Sequence, residues 1–220
     1  MSVSSPPPED GARPYGRRAF LALVAGGLSS LLWADPLRRS GLLPSSGWRI
    51  YTVAATMPRF DPSTWRLRID GLVSRPRELT YAELLALPRA EQVSTFHCVT
   101  GWTVRGVRWA GVRFGDLLAT AGPRREARAL RFVSAERPYA DSLTLAQAEL
   151  ADAMLAYEMD GRPLSRAHGA PVRVVIPEMY GYKNVKWVER IEVLDRPVDG
   201  FWEGLGYDRD AWVGHSNGHG

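Results

Sequence analysis

The helix signals in this chain are short, and none is followed by the strand–helix–strand spacing that builds a parallel sheet. Thr80-Tyr81-Ala82-Glu83 has the Ser/Thr-x-x-Glu/Gln form of a capping box and predicts a helix to Leu87, where Pro88 stops it. Thr144-Leu145-Ala146-Gln147 repeats the pattern and predicts a helix to about Leu150. A third short helix is expected over Phe114–Ala121, with Gly122 at its end and Pro123 beyond. Between these lie many strand-like runs. Trp65 to Gly71 alternates apolar with polar residues, and Tyr51–Pro58 reads as extended. Gln92–Phe96, Ala129–Ser134, Tyr139–Leu143, Met154–Met159, Val172–Pro177 and Val188–Leu194 read as strands, and Thr103–Trp109 as a hairpin around Gly106. Short helices scattered among such strands predict an α+β class with a mixed β-sheet.

The first 47 residues stand apart from that pattern. Gly16-Arg17-Arg18-Ala19-Phe20-Leu21 leads into an apolar run ending at Trp33, too short for the roughly 20 residues that span a bilayer. A charged region before a short apolar one is the form of an export signal, and Arg-Arg-x-Phe-Leu resembles the twin-arginine type. No clean small-residue cleavage site precedes Asp35-Pro36, so an uncleaved anchor is an open alternative. The expected organisation is a leader and linker over 1–47, one domain over 48–200 and a tail over 201–220. The net charge of +4 does not point to nucleic acid: five arginines against three acids place +2 of it in the first forty residues, and no basic stripe follows.

The one cysteine of the chain lies in Phe96-His97-Cys98-Val99-Thr100-Gly101-Trp102, at the end of a predicted strand. A lone cysteine forms no internal disulfide, which leaves packing, reactivity or metal ligation. In an exported protein an unpaired thiol is expected to be buried or bound. Only two lysines occur, both in Tyr182-Lys183-Asn184-Val185-Lys186, so they mark either chance or sites that need a compact point charge. Of four histidines, His215 and His219 fall in a Gly/Ser tail that reads as solvated. Cys98, His97, His168, Arg173, Lys183 and Lys186 remain as a candidate constellation. Phosphate-loop, dinucleotide, haem-attachment, zinc-protease and nucleophile-elbow patterns do not occur.

Three segments resemble the sulfite oxidase family. Cys98-Val99-Thr100-Gly101-Trp102 is similar to its C-V-x-x-W segment, whose cysteine ligates molybdenum. His168-Gly169-Ala170-Pro171-Val172-Arg173 is similar to its H/N-G-x-P-x-R segment, and Gly181-Tyr182-Lys183-Asn184-Val185-Lys186-Trp187 to its G-x-K/R-x-V/I-K segment. Order and spacing agree over about residues 50–200. The resemblance implies the sulfite oxidase-type molybdopterin-binding domain and a Mo-molybdopterin cofactor with Cys98 as the thiolate ligand. It implies that His168 and Arg173 hold the pterin and its phosphate, with backbone around Asn184 and Val185 and the Lys186 side chain closing the pocket. Ser134 matches a pterin-contacting position. His97 is either a supporting neighbour or a plain strand residue, Trp102 packs beside the site, and Lys183 is expected to be solvated or a weak anion contact.

The departures bear on substrate. Sulfite oxidases carry an Arg-Asn-His run in the N-terminal extended segment, where this chain has Val53-Ala54-Ala55-Thr56-Met57-Pro58. Loss of that cation argues against sulfite. The family also includes periplasmic methionine-sulfoxide reductase subunits, so the direction of oxygen transfer stays open. With no haem domain in the chain, electrons pass to or from a separate redox partner, in bacterial relatives often a membrane haem protein. The expectation is an exported molybdenum oxidoreductase acting on a small molecule. The alternatives are a cofactor-binding electron relay and an interaction domain with an inert cysteine.

Overall fold

The computed structural model describes residues 47–215. The leader with its arginine pair, most of the linker, and His219 lie outside the described residues.

Two five-stranded sheets make the body. In the first, β1 (Arg66–Gly71), β2 (Arg77–Thr80), β5 (Ala129–Ser134), β6 (Ala140–Thr144) and β10 (Val188–Leu194) follow the order β2-β1-β10-β5-β6. The β1–β10 pair is parallel, with Ile69 opposite Ile191, and the others are antiparallel. In the second, β3 (Ala90–His97), β4 (Thr103–Arg113), β7 (Met154–Met159) and β8 (Arg162–Pro163) run in order, and β9 (Arg173–Val175) pairs with β7. The α+β class with mixed strand directions is therefore as expected.

Alternation along the strands assigns the layers. Leu67 and Ile69 of β1, Leu130 and Phe132 of β5, and Ile191 and Val193 of β10 meet Val112, Leu155 and Val174 of the second sheet in one core. The intervening residues of that second sheet face the other way. Val107, Trp109, Met154, Ala156 and Val175 form a separate cluster, covered by Trp48. Because β7 is buried on both faces over 154–157, that stretch reads as a continuous apolar run.

Both capping boxes close as predicted. The Glu83 N–H donates to Thr80 Oγ1 and the Thr80 N–H to Glu83 Oε2; Gln147 and Thr144 repeat the exchange. The helices they open, α1 (Tyr81–Leu85) and α3 (Leu145–Ala148), are only a turn or so long, and α2 (Phe114–Ala119) lies between them.

Several expectations change. Thr103 to Trp109 is not a hairpin but part of the single long strand β4. The reversal comes earlier, at 98–102, and Gly106 (φ 68°) sits where the β3–β4 register shifts, as the glycine of a bulge. The Val172–Pro177 strand shrinks to β9, and Tyr51–Pro58 forms bends held by side chains rather than a strand. Lys183 is not solvated: its side chain is 1% exposed and bonded to two carboxylates. The segment from Phe201 packs on the same body, with Glu203 and Ala211 buried and the Tyr180 N–H donating to Ala211 O.

Candidate active site

Cys98 heads the tight reversal between β3 and β4. Its N–H donates to Trp102 O (2.9 Å), and the Gly101 N–H donates back to Cys98 O (3.0 Å). Gly101 takes φ 89° in open space, so it is the backbone angle rather than crowding that calls for glycine there. The thiol is half-buried, with Thr100 Oγ1 at 3.2 Å from Sγ. Phe96 and Trp102 flank the turn with ring centroids 5.5 Å apart, and Trp48 packs on Phe96 at 4.9 Å.

The same aromatic layer receives Arg173. With Val174 turned into the main core, alternation sends Arg173 to the opposite face of the second sheet. There its guanidinium lies 5.3 Å from the Trp109 ring centre and 5.6 Å from that of Phe96. Arg173 is 3% exposed. Its N–H groups reach only neutral carbonyls, at His168 (3.3 Å), Val174 (3.4 Å) and Asn184 (3.4 Å). Among the described residues no carboxylate pairs with it. Burial without a counter-charge pulls it down to about 10.

His168 ends a 3-10 turn, Arg166–His168, and its ring meets Trp48 at 4.9 Å. Its Nδ1 is buried without a hydrogen-bond partner. Burial first, then the Arg173 and Lys186 charges, hold it down to about 4, so it is neutral near pH 7. Gly169 follows at φ 104°, and a Cβ there would lie 2.9 Å from Lys186 Cβ; only glycine lets the two segments approach so closely. Lys186 donates to Tyr51 O (2.7 Å) and lies 4.0 Å above the Trp187 ring. Burial and then Arg173 lower its ammonium to about 7, with Glu136 opposing the shift.

The other predicted residues act one step back. Ser134 Oγ donates to Lys186 O (2.8 Å) and accepts from the Glu136 N–H (2.9 Å). The Asn184 side chain accepts from the Ile176 N–H (2.8 Å), leaving its own carbonyl for Arg173. Both backbone groups of Val185 are bonded within the fold, its N–H to Lys183 O and its carbonyl to the Val174 N–H. His97 turns away from Arg173 into an open groove of about 560 Å³ lined also by Pro177, Glu178, Trp212, Val213 and His215. None of Cys98, His168, Arg173 or Lys186 lines that groove.

Glu136 and Trp48 were not foreseeable as site residues. Glu136 Oε1 accepts from the Val53 and Ala54 N–H groups, and Arg166 donates to Met57 O and Pro58 O. With Lys186 on Tyr51 O, these bonds fasten the segment 48–58 beside the basic cluster. Nothing local in the sequence marks such long-range partners.

This set fits an anionic, metal-carrying group. His168, Arg173 and Lys186 meet without a carboxylate partner among the described residues, and three buried ring nitrogens, His168 Nδ1, Trp102 Nε1 and Trp109 Nε1, lack a hydrogen-bond partner. Cys98 offers one soft thiolate, and no cluster of three or more His, Cys, Asp or Glu occurs among the described residues. A single thiolate holds a metal firmly only when the metal brings its other ligands with it.

Comparison with known proteins agrees. Residues 54–202 match the oxidoreductase molybdopterin binding domain family. The chain is 36% identical over 154 residues to the uncharacterized oxidoreductase YuiH of Bacillus subtilis, covering 69% of this chain and 77% of that one. It is 32% identical over 173 residues to the sulfite oxidase of Arabidopsis thaliana, covering 63% and 44%. Among solved structures, the sulfane dehydrogenase SoxCD of Paracoccus pantotrophus superposes with a TM-score of 0.60 at 28% identity, covering 66% and 41%. The chain thus spans less than half the length of the last two.

Proposed function

Since the chain belongs to the oxidoreductase molybdopterin binding domain family, we propose that it is an exported two-electron oxidoreductase whose Cys98 thiolate ligates molybdenum. Molybdopterin with molybdenum is the cofactor of this family, and when bound it supplies a centre that exchanges an oxygen atom and two electrons with a substrate.

The observation that carries this reading is Arg173. A guanidinium in a sealed, aromatic-walled place with only long bonds to carbonyls is costly on its own. An anionic phosphate or pterin edge would supply short, charge-assisted bonds there. His168 presents a neutral imidazole whose Nδ1 is free to bond the same group. Lys186 would exchange its bond to Tyr51 O for the anion. Ser134, Asn184 and Val185 position these groups through the backbone. The Thr100 hydroxyl lies within reach of Cys98 Sγ and would orient the thiolate.

For the substrate, the stretch Val53–Pro58 of the segment beside the cluster carries no cation. That favours a neutral oxygen donor or acceptor, such as a sulfoxide or N-oxide, over a small anion. The electron partner would be a separate protein, a membrane haem protein being the expected kind. The arginine-pair leader supports export to the periplasmic side. The domain would span 48–200, preceded by the leader.

The deciding measurement is molybdenum and pterin content of the protein purified from an exporting, cofactor-competent host. About one molybdenum per wild-type chain is expected, together with turnover of a sulfoxide or N-oxide in preference to sulfite. In Cys98→Ser, turnover and the thiolate's spectral signature should be lost while pterin is retained. Well-folded wild-type protein without molybdenum or pterin would overturn the reading.

A further inference from the structure

A second charged cluster is built on Lys183, directly before Asn184 in the chain, and takes its other members from outside the cofactor site. Lys183 Nζ donates to Asp141 Oδ1 (2.5 Å) and to Glu203 Oε1 (2.6 Å), and the three side chains are 1%, 2% and 2% exposed. The remaining oxygens, Asp141 Oδ2 and Glu203 Oε2, are both buried without a hydrogen-bond partner. They face one small space, since a Cβ built on Gly200 would lie 2.7 Å from Glu203 Oε2 and 2.8 Å from Asp141 Cγ.

With every group ionised, this site would hold one ammonium, two carboxylates and a net negative charge in a place closed to water. Two bare carboxylate oxygens would then face each other. One proton removes both defects: it neutralises the triad and gives one orphaned oxygen an O–H to donate to the other. Like-charged carboxyls this close do not both ionise readily. Beside them is the half-buried Tyr139, whose hydroxyl donates to Tyr182 O (2.5 Å), with the buried Glu136 beyond it. At the rim Arg209 is paired with Asp199. Tyr139 and Glu136 add no positive charge, so Lys183 is the one cation inside the cluster.

We propose that Asp141 and Glu203 share one proton over Lys183, and that this neutral triad is the clamp that positions the turn carrying Asn184, Val185 and Lys186. The three groups come from three places: β6, the 3-10 turn Gly181–Lys183, and the C-terminal 3-10 turn Glu203–Leu205. The clamp therefore ties the turn beneath Arg173 to the segment that follows Phe201. Lys183, Asp141 and Glu203 are positioning residues, and the inference needs no bound cofactor. Burial, with Glu203 beside it, agrees in direction, raising Asp141 to about 8.

The sign follows. The folded chain keeps a proton that the unfolded chain releases above the ordinary carboxyl value of 3.8. Between about pH 5 and 8 the folding equilibrium should weaken about tenfold per pH unit from this pair alone, then level off.

Infrared spectroscopy of the full chain in heavy water tests the proton directly. At pH 7 exposed carboxyls are ionised, so a protonated-carboxyl C=O band is expected from this pair, fading as pH rises through about 8. Asp141→Asn and Glu203→Gln should each remove the band and the matching pH dependence of unfolding. Absence of the band in wild-type protein at pH 7 would overturn the proposal, whether or not the variants fold. So would a band that both variants retain, or unfolding curves with the same pH dependence as wild type. Loss of cofactor in any of these proteins leaves the band readable, so this test and that of the cofactor fail separately.

Discussion

Arg173 sets two requirements against each other. As a buried cation without a counter-ion it weakens the empty fold, and as the anchor proposed for an anion it is needed for binding. Arg173→Met should therefore leave the unfolding free energy of cofactor-free protein unchanged or higher, by up to about 1–2 kcal/mol in chemical denaturation. The same change should lower molybdenum and pterin content at least tenfold. A purely structural arginine would give the reverse, with stability lost and occupancy unaffected. Lys186 adds a pH dependence. Its ammonium is held at about 7 by burial and by Arg173, and a bound anion would restore the proton. Affinity should be flat below pH 7 and fall about tenfold per pH unit above it. Pterin retention on dialysis at pH 6.5, 7.5 and 8.5 measures this, and Lys186→Arg should flatten the profile because a guanidinium does not titrate there.

At the scale of elements, the turn that bears Cys98 and the approach of Gly169 to Lys186 predict different costs. Gly101→Ala meets no atom and has only its backbone angle to pay for, about 1 kcal/mol by chemical denaturation. Gly169→Ala combines φ 104° with a contact at 2.9 Å, so it should cost more than about 2 kcal/mol and displace Lys186. These differences could not be read from sequence. The capping boxes at Thr80 and Thr144 could, because their partners are three residues away. That Cys98 falls at the end of a strand was legible because the strand pattern runs directly up to it in the chain. Gly106 misled, since a glycine in an alternating run serves a bulge as well as a turn. Lys183 was misplaced because its two carboxylates come from residues 141 and 203, and no local pattern reports such a meeting.

Over the whole molecule, the two apolar clusters have separable duties. Phe132 belongs to the core between the sheets, and Phe132→Ala should cost about 3–5 kcal/mol of stability. Trp48 covers the outer face of the second sheet together with Phe96, Trp102 and His168. Trp48→Ala should cost less in unfolding, about 1–3 kcal/mol, and more in cofactor retention. Comparing denaturation midpoints with pterin content for the two variants distinguishes fold support from site support.

The parallel pairing of β1 with β10 has a consequence in time. Ile69 finds its partner only when Ile191 has been made, and contacts so distant in sequence form slowly. β10 lies at the centre of the first sheet, and the stretch just before it contributes Lys183, Asn184 and Lys186. A ribosome must therefore pass β10 before either the sheet or the pocket can close. Whatever loads this protein meets a chain already made through β10.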